Sequence, residues 1–76
     1  MIKEHDRVVL KCDLAGEKLK AGDVGTIVHV HKQSKALEVE FLTLGGDTVT
    51  VATLLPSQVR PVRRREITHA RMLATG

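Results

Sequence analysis

Apolar and polar residues alternate along five short stretches of this chain, and the alternation has the period of two that marks a half-buried β-strand. The first stretch is Arg7 to Cys12, with Val8, Leu10 and Cys12 on one face. The second is Val24 to His31, with Val24, Thr26, Val28 and Val30 on one face. Ala36 to Leu42 follows, with Leu37, Val39 and Phe41 predicted inward and Glu38 and Glu40 outward. Asp47 to Leu54 places Val49 and Val51 inward and Thr48 and Thr50 outward. A short turn at Leu54-Leu55-Pro56-Ser57, of 3₁₀ type, leads into a last strand from Gln58 to Val62. Between the first two strands lies a long loop, Asp13 to Asp23, whose Leu14 and Leu19 are its expected anchors on the core.

One set of strand faces satisfies both hairpins. A four-residue loop from Lys32 to Lys35 places Val30 against Leu37, Val28 against Val39 and Thr26 against Phe41 on the core side. His29 then meets Glu38, and Ile27 meets Glu40, on the outer side. A three-residue loop, Leu44-Gly45-Gly46, with a glycine in the left-handed region, pairs Phe41 with Val49 and Val39 with Val51. A slip of one residue would turn every side chain to the other face. The reading therefore predicts Val28, Val39 and Val51 side by side inside a closed shell.

Glycine marks the turns. Gly22 and Gly25 stand at the entry to the second strand and Gly45 and Gly46 between the third and fourth, where a chain must turn sharply or pass close to a neighbour. The backbone amides at Gly22–Gly25 have the form of an anion nest, yet turning the chain accounts for these glycines without a ligand. Loops of about ten, four and three residues, then a helical turn before a short last strand, give an all-β fold: a small five-stranded SH3-like barrel over residues 1–62. Residues 63–76 form a basic tail, disordered or a short helix on Ile67, Ala70 and Leu73.

Seventy-six residues make one domain near the lower size limit for a self-sufficient apolar core. The single cysteine, Cys12, allows no internal disulfide and suits a reducing compartment. No apolar run approaches the ~18 residues of a membrane span, and the N-terminus lacks a signal-peptide stretch, so a cytoplasmic protein without membrane contact is expected. Phe41 is the sole aromatic residue. This argues against a proline-peptide groove and against a base-stacking platform, both of which need aromatic side chains. The net charge of +3 divides unevenly: residues 1–59 carry seven Lys/Arg and eight Asp/Glu, whereas Arg60, Arg63, Arg64, Arg65 and Arg71 face Glu66 alone. Attraction to nucleic acid or acidic partners belongs to the tail.

Glu4-His5-Asp6-Arg7-Val8-Val9-Leu10, then Leu19-Lys20-Ala21-Gly22-Asp23-Val24-Gly25-Thr26-Ile27-Val28 and Leu37-Glu38-Val39-Glu40-Phe41, resemble the small bacterial proteins grouped as domain of unknown function 4926. Leu54-Leu55-Pro56 and Val59-Arg60-Pro61-Val62 match the same pattern. The resemblance covers about residues 1–62 and implies a stand-alone SH3-like bacterial protein; it carries no catalytic residues over. The two glycines are also similar to those of the KOW motif of ribosomal and transcription-elongation proteins.

Candidate chemistry is sparse. His29 and His31 share the outer face with Glu38, a beginning for a zinc site, but Cys12 lies on the other face and His5 and His69 lie at the chain's ends. A polar face with a cross-strand His–Glu contact explains them, and no metal or cofactor is expected. Cys12, in phase with Val8 and Leu10, is expected to pack as a small hydrophobe rather than act as a nucleophile. Val9 and Ile27, on outward faces, are expected to be covered from within the chain. The sequence thus predicts a non-enzymatic binding module for a protein partner, such as a co-transcribed gene product, as a monomer or weak homodimer. Its contacts are expected from the Asp13–Asp23 loop and Arg60–Leu73. The alternative is a nucleic-acid accessory acting through Arg60, Arg63, Arg64 and Arg65, with Arg71.

Overall fold

The computed structural model describes residues 2–73. Five antiparallel strands form one sheet: β1 (Arg7–Leu10), β2 (Val24–Val30), β3 (Leu37–Leu42), β4 (Thr48–Leu54) and β5 (Val59–Pro61), in the order β4-β3-β2-β1-β5. The all-β class and the five strands agree with the sequence, each boundary within two residues. The closed shell does not form: among the described residues β4 and β5 do not pair, and the sheet keeps two free edges. The turn before β5 is 3₁₀ at Pro56–Gln58, where the Leu55 amide donates to Gln58 Oε1 at 2.7 Å. Among the described residues no helix is long and apolar enough to cross a membrane.

Both hairpins keep the expected register next to their turns and lose it one step further in. Val30 pairs with Leu37 and His29 with Glu38, as the four-residue loop demands, but a bulge at Val28 then sets Ile27 against Val39 and Thr26 against Glu40. Leu42 pairs with Thr48, as the three-residue loop demands, but a second bulge at Val49 sets Phe41 against Thr50, Glu40 against Val51 and Val39 against Ala52. A bulge opposes two residues to one and shifts every side chain beyond it to the other face. The expected inward trio is therefore corrected. Val39 is fully buried, while Val28 is 41% and Val51 49% exposed.

Packing explains the outcome. Ile27 and Ala52 replace the two valines in the core, alongside Val8, Leu10, Leu19, Leu37, Phe41, Leu54 and Val59. The shifted phase of β2 also points Gly25 at the core. A Cβ there would lie 2.6 Å from Val39 Cγ1, 2.9 Å from Phe41 Cε2 and 3.0 Å from the Glu40 carbonyl oxygen. Glycine is required by this close approach, and the phase that satisfies it carries Ile27 inward with it. Ile27 is thus not an outward residue needing a cover, and Val9 is buried as well. Cys12 is half-buried, packs against the core, and receives a long contact of 3.9 Å from Gln58 Nε2.

Candidate functional site

The long loop between β1 and β2 is a firm wall. Leu14 and Leu19 exchange backbone hydrogen bonds at 2.9 and 3.1 Å, closing a 3₁₀ turn at Ala15–Glu17. Leu19 is buried, as its expected anchoring role requires. The carboxylates stiffen the return: Asp13 Oδ1 accepts from the Ala21 amide at 2.9 Å and Asp23 Oδ2 from the Lys20 amide at 2.8 Å. The Leu10 amide donates to the Asp23 carbonyl and the Gly22 amide to the Leu10 carbonyl, each at 2.8 Å, so the loop's end is tied to β1. Thr50 Oγ1 donates to Glu17 Oε1 at 2.9 Å and links the loop to β4.

The β3–β4 turn forms the opposite wall. Gly46 takes φ +95°, the left-handed position expected of a glycine there, and Thr43 Oγ1 accepts from the Asp47 amide at 3.0 Å. Gly22 also has positive φ, whereas Gly45 does not. The turn holds Leu44 at its tip, 85% exposed.

The tail runs back over the space between these walls. No helix forms on the spacing of Ile67, Ala70 and Leu73; residues 67–73 contain neither helix nor strand, and the expected tail's last residues, 74–76, lie outside those described. Two ion pairs direct its course. Arg60 Nη1 and Nη2 donate to Glu66 Oε1 and Oε2 at 2.8 and 2.6 Å, and the Arg63 amide donates to the same carboxylate at 2.6 Å. Further on, Arg71 Nε donates to Asp23 Oδ1 at 2.8 Å, and its Nη2 donates to Asp23 Oδ2 and, at 3.1 Å, to the Lys18 carbonyl. Each arginine uses the planar fork that fits a carboxylate with two parallel bonds. Beneath the tail an open groove of about 710 Å³ remains, walled on the sheet side by Leu19, Asp23, Phe41, Thr43, Leu44 and Val49.

The five arginines singled out in the sequence are therefore not equivalent. Arg60 and Arg71 each hold a carboxylate; Arg63 lends its backbone to Glu66; the side chains of Arg64 and Arg65 are exposed, with no ion pair among the described residues. Sequence reasoning missed Asp23 as a binding group, because its partner is 48 residues away. It also placed Leu44 in the turn alone, because the neighbours that make it one wall of a groove come from the distant Asp13–Asp23 loop and the tail.

These ion pairs shift the acids involved. The Arg60 guanidinium, then the Arg63 amide, hold the Glu66 carboxyl at about 2, below its ordinary 4.5. Partial burial pushes Asp23 upward, but the hydrogen bond from Arg71, that from the Lys20 amide and the two positive charges outweigh it and leave Asp23 lowered. A carboxylate lowered by docking supports the docked tail above its free pKa, and that support fades as pH falls through the docked value. The Arg71 Nε–H resonance is therefore expected to stay at its docked position above the ordinary 3.8 of Asp23 and to move to that of free arginine as acid protonates that carboxylate. A free-arginine position already at pH 6 counts against the docked tail.

The histidine face is a separate cluster. His29 lies opposite Glu38 in the ladder, as expected, but the hydrogen bond to that carboxylate comes from His31, with Nε2 2.6 Å from Oε2. Thr53 Oγ1 lies 2.9 Å from both carboxylate oxygens, and these bonds, His31 first, lower Glu38. His29 stands edge-on to His31 with ring centres 4.9 Å apart, its Nδ1 3.6 Å from Glu4 Oε2. Among the described residues no group of three or more His, Cys, Asp or Glu side chains is placed to hold a metal ion.

Comparison with curated proteins and with solved structures finds no match. A family model does match, over residues 4–61, which takes in all five strands and the Asp23 wall of the groove but stops before the tail that crosses it. With that span covering most of its length, the chain belongs to the family described as domain of unknown function (DUF4926).

Proposed function

We propose that this chain is a non-catalytic module that binds a protein partner in the groove between the Asp13–Asp23 loop and the β3–β4 turn. The observation that carries the reading is the groove itself: about 710 Å³, walled by Leu19, Phe41, Leu44 and Val49, with Asp23 the one charged side chain on the sheet side. A concave apolar surface with a few placed polar groups is the usual form of a binding site, and exposed apolar side chains at its rim mark an interaction surface. Leu44 and Met72, the latter 90% exposed, stand at that rim. Asp23 is engaged by Arg71 rather than poised for acid–base work, which favours binding over catalysis. The nucleic-acid reading draws only on Arg63, Arg64 and Arg65, since Arg60 is committed to Glu66 and no aromatic platform accompanies them.

A photo-crosslinking residue at position 44 tests the reading in the native host. One protein is expected to be captured reproducibly, and Val49→Asp is expected to abolish its capture because a charge then enters the apolar wall. The same labelled chain with the residue at Lys35, outside the groove, serves as control. Capture no better than that control would refute the proposal.

A further inference from the structure

The tail crosses the groove without filling it. Met72 projects almost wholly into solvent and Leu73 is only half-buried, while in the wall beneath Leu44 is exposed, Val49 half-buried, and Leu19 and Phe41 buried. What secures this end of the tail is Arg71, through its two-pronged bond to Asp23 and its bond to the Lys18 carbonyl. The sheet side thus offers one carboxylate, fixed by the Lys20 amide, next to a run of apolar side chains. That arrangement is complementary to a guanidinium flanked by apolar groups, and the chain's own Arg71-Met72-Leu73 has that chemistry.

We propose that residues 69–73 are an internal stand-in for the partner: Arg71 latches the tail on Asp23, and the true ligand is an extended peptide segment of another protein that brings an arginine to Asp23 and apolar side chains to Leu19, Phe41, Leu44 and Val49. Tail and partner compete for one carboxylate. This rests on the protein-binding reading above and adds to it the ligand's chemistry and a built-in competitor. A tethered competitor acts at an effective concentration set by its short linker. The partner's apparent affinity falls in proportion to the fraction of molecules whose latch is open. An ionic latch with little apolar burial opens readily, so competition attenuates binding without abolishing it.

The probe is a fluorescein-labelled peptide copying residues 65–73, with blocked ends, titrated by fluorescence polarisation against the full chain. Binding to Arg71→Ala is expected to be about tenfold tighter than to the unaltered chain, because the competitor is removed. Adding Asp23→Asn to Arg71→Ala is expected to reverse that gain. A second arm leaves the protein's fold untouched: the peptide with lysine at the position that copies Arg71, its other arginine kept, is expected to bind Arg71→Ala several-fold more weakly, since a point charge cannot make the two-pronged bond. Equal affinity for the unaltered chain and Arg71→Ala, indifference to the lysine exchange, or no binding to Arg71→Ala would each overturn the proposal. So would an unaltered chain that sediments as a dimer and becomes a monomer on Arg71→Ala, because the tail then serves a second copy. Crosslinked partner without peptide binding removes the latch and leaves the binding module standing; peptide binding without a crosslinked partner does the reverse.

Discussion

Alanine at Ile27 is expected to destabilise the fold by about 3–4 kcal/mol, while alanine at the adjacent Val28 changes stability by less than about 0.5 kcal/mol. The contrast comes from the bulge. Ile27 sits opposite Val39 with no solvent exposure, whereas Val28 is the extra residue and is 41% exposed. Truncating a fully buried isoleucine removes its transfer free energy and leaves a cavity that a packed interior only partly closes. A domain of this length has a total stability of roughly 4–11 kcal/mol, so the loss is a large fraction of the whole and lowers Tm by on the order of 20 °C. Urea titration followed by circular dichroism measures both variants. If Val28→Ala proves the more damaging, the unbulged register predicted from alternation is the true one.

Gly25→Ala is expected to cost about 2 kcal/mol even though the added group is a single methyl. The new Cβ would stand 2.6 Å from Val39 Cγ1 and 3.0 Å from the Glu40 carbonyl oxygen. Overfilling a packed core costs typically about 1–3 kcal/mol. The smaller conformational entropy of alanine in the unfolded chain returns only about 0.4–1 kcal/mol. Because Val39 takes the closest contact, Val39→Ala is expected to relieve part of the strain, and the double variant should be more stable than the two single losses added together. Thermal unfolding of the four-member cycle measures that coupling. Strict additivity would show that Gly25 and Val39 do not meet and would remove the packing account of the bulge.

Much of this fold can be read from neighbouring residues. The alternation in Leu37-Glu38-Val39-Glu40-Phe41 sorts correctly into core and surface, because its charged residues leave only one possible inner face. The turns are equally readable: Lys32–Lys35 closes with the His31 amide donating to the Ala36 carbonyl at 2.9 Å. Thr43 and Asp47 close the next turn at 2.8 Å. The errors lie one step inward, in β2 and β4, where Val24-Gly25-Thr26-Ile27-Val28 and Val49-Thr50-Val51-Ala52 offer apolar side chains on both faces. Such segments fit two phases, and a strict period of two contains no mark for an odd residue. Gly25 and Leu54 held the clue: a glycine aimed at the core and a leucine opposite Leu37 both demand the shifted phase.

Of the candidate site, the segregation of arginines into the tail was visible and their engagement was not. Arg60 finds Glu66 six residues on, within the same basic stretch, whereas Arg71 finds Asp23 across 48 residues. His31 rather than His29 takes Glu38, since a hydrogen bond depends on side-chain reach and not on ladder position alone.

By itself the sequence determined the strand count, the turns, the faces of β3 and the separation of charge between sheet and tail, because each follows from residues a few places apart. Only the tertiary structure decided where the two bulges fall, which hydrophobes fill the interior, and that the tail lies across an apolar groove with Arg71 on Asp23. Those outcomes depend on volumes and charges brought together from distant parts of the chain, and no local pattern contains them.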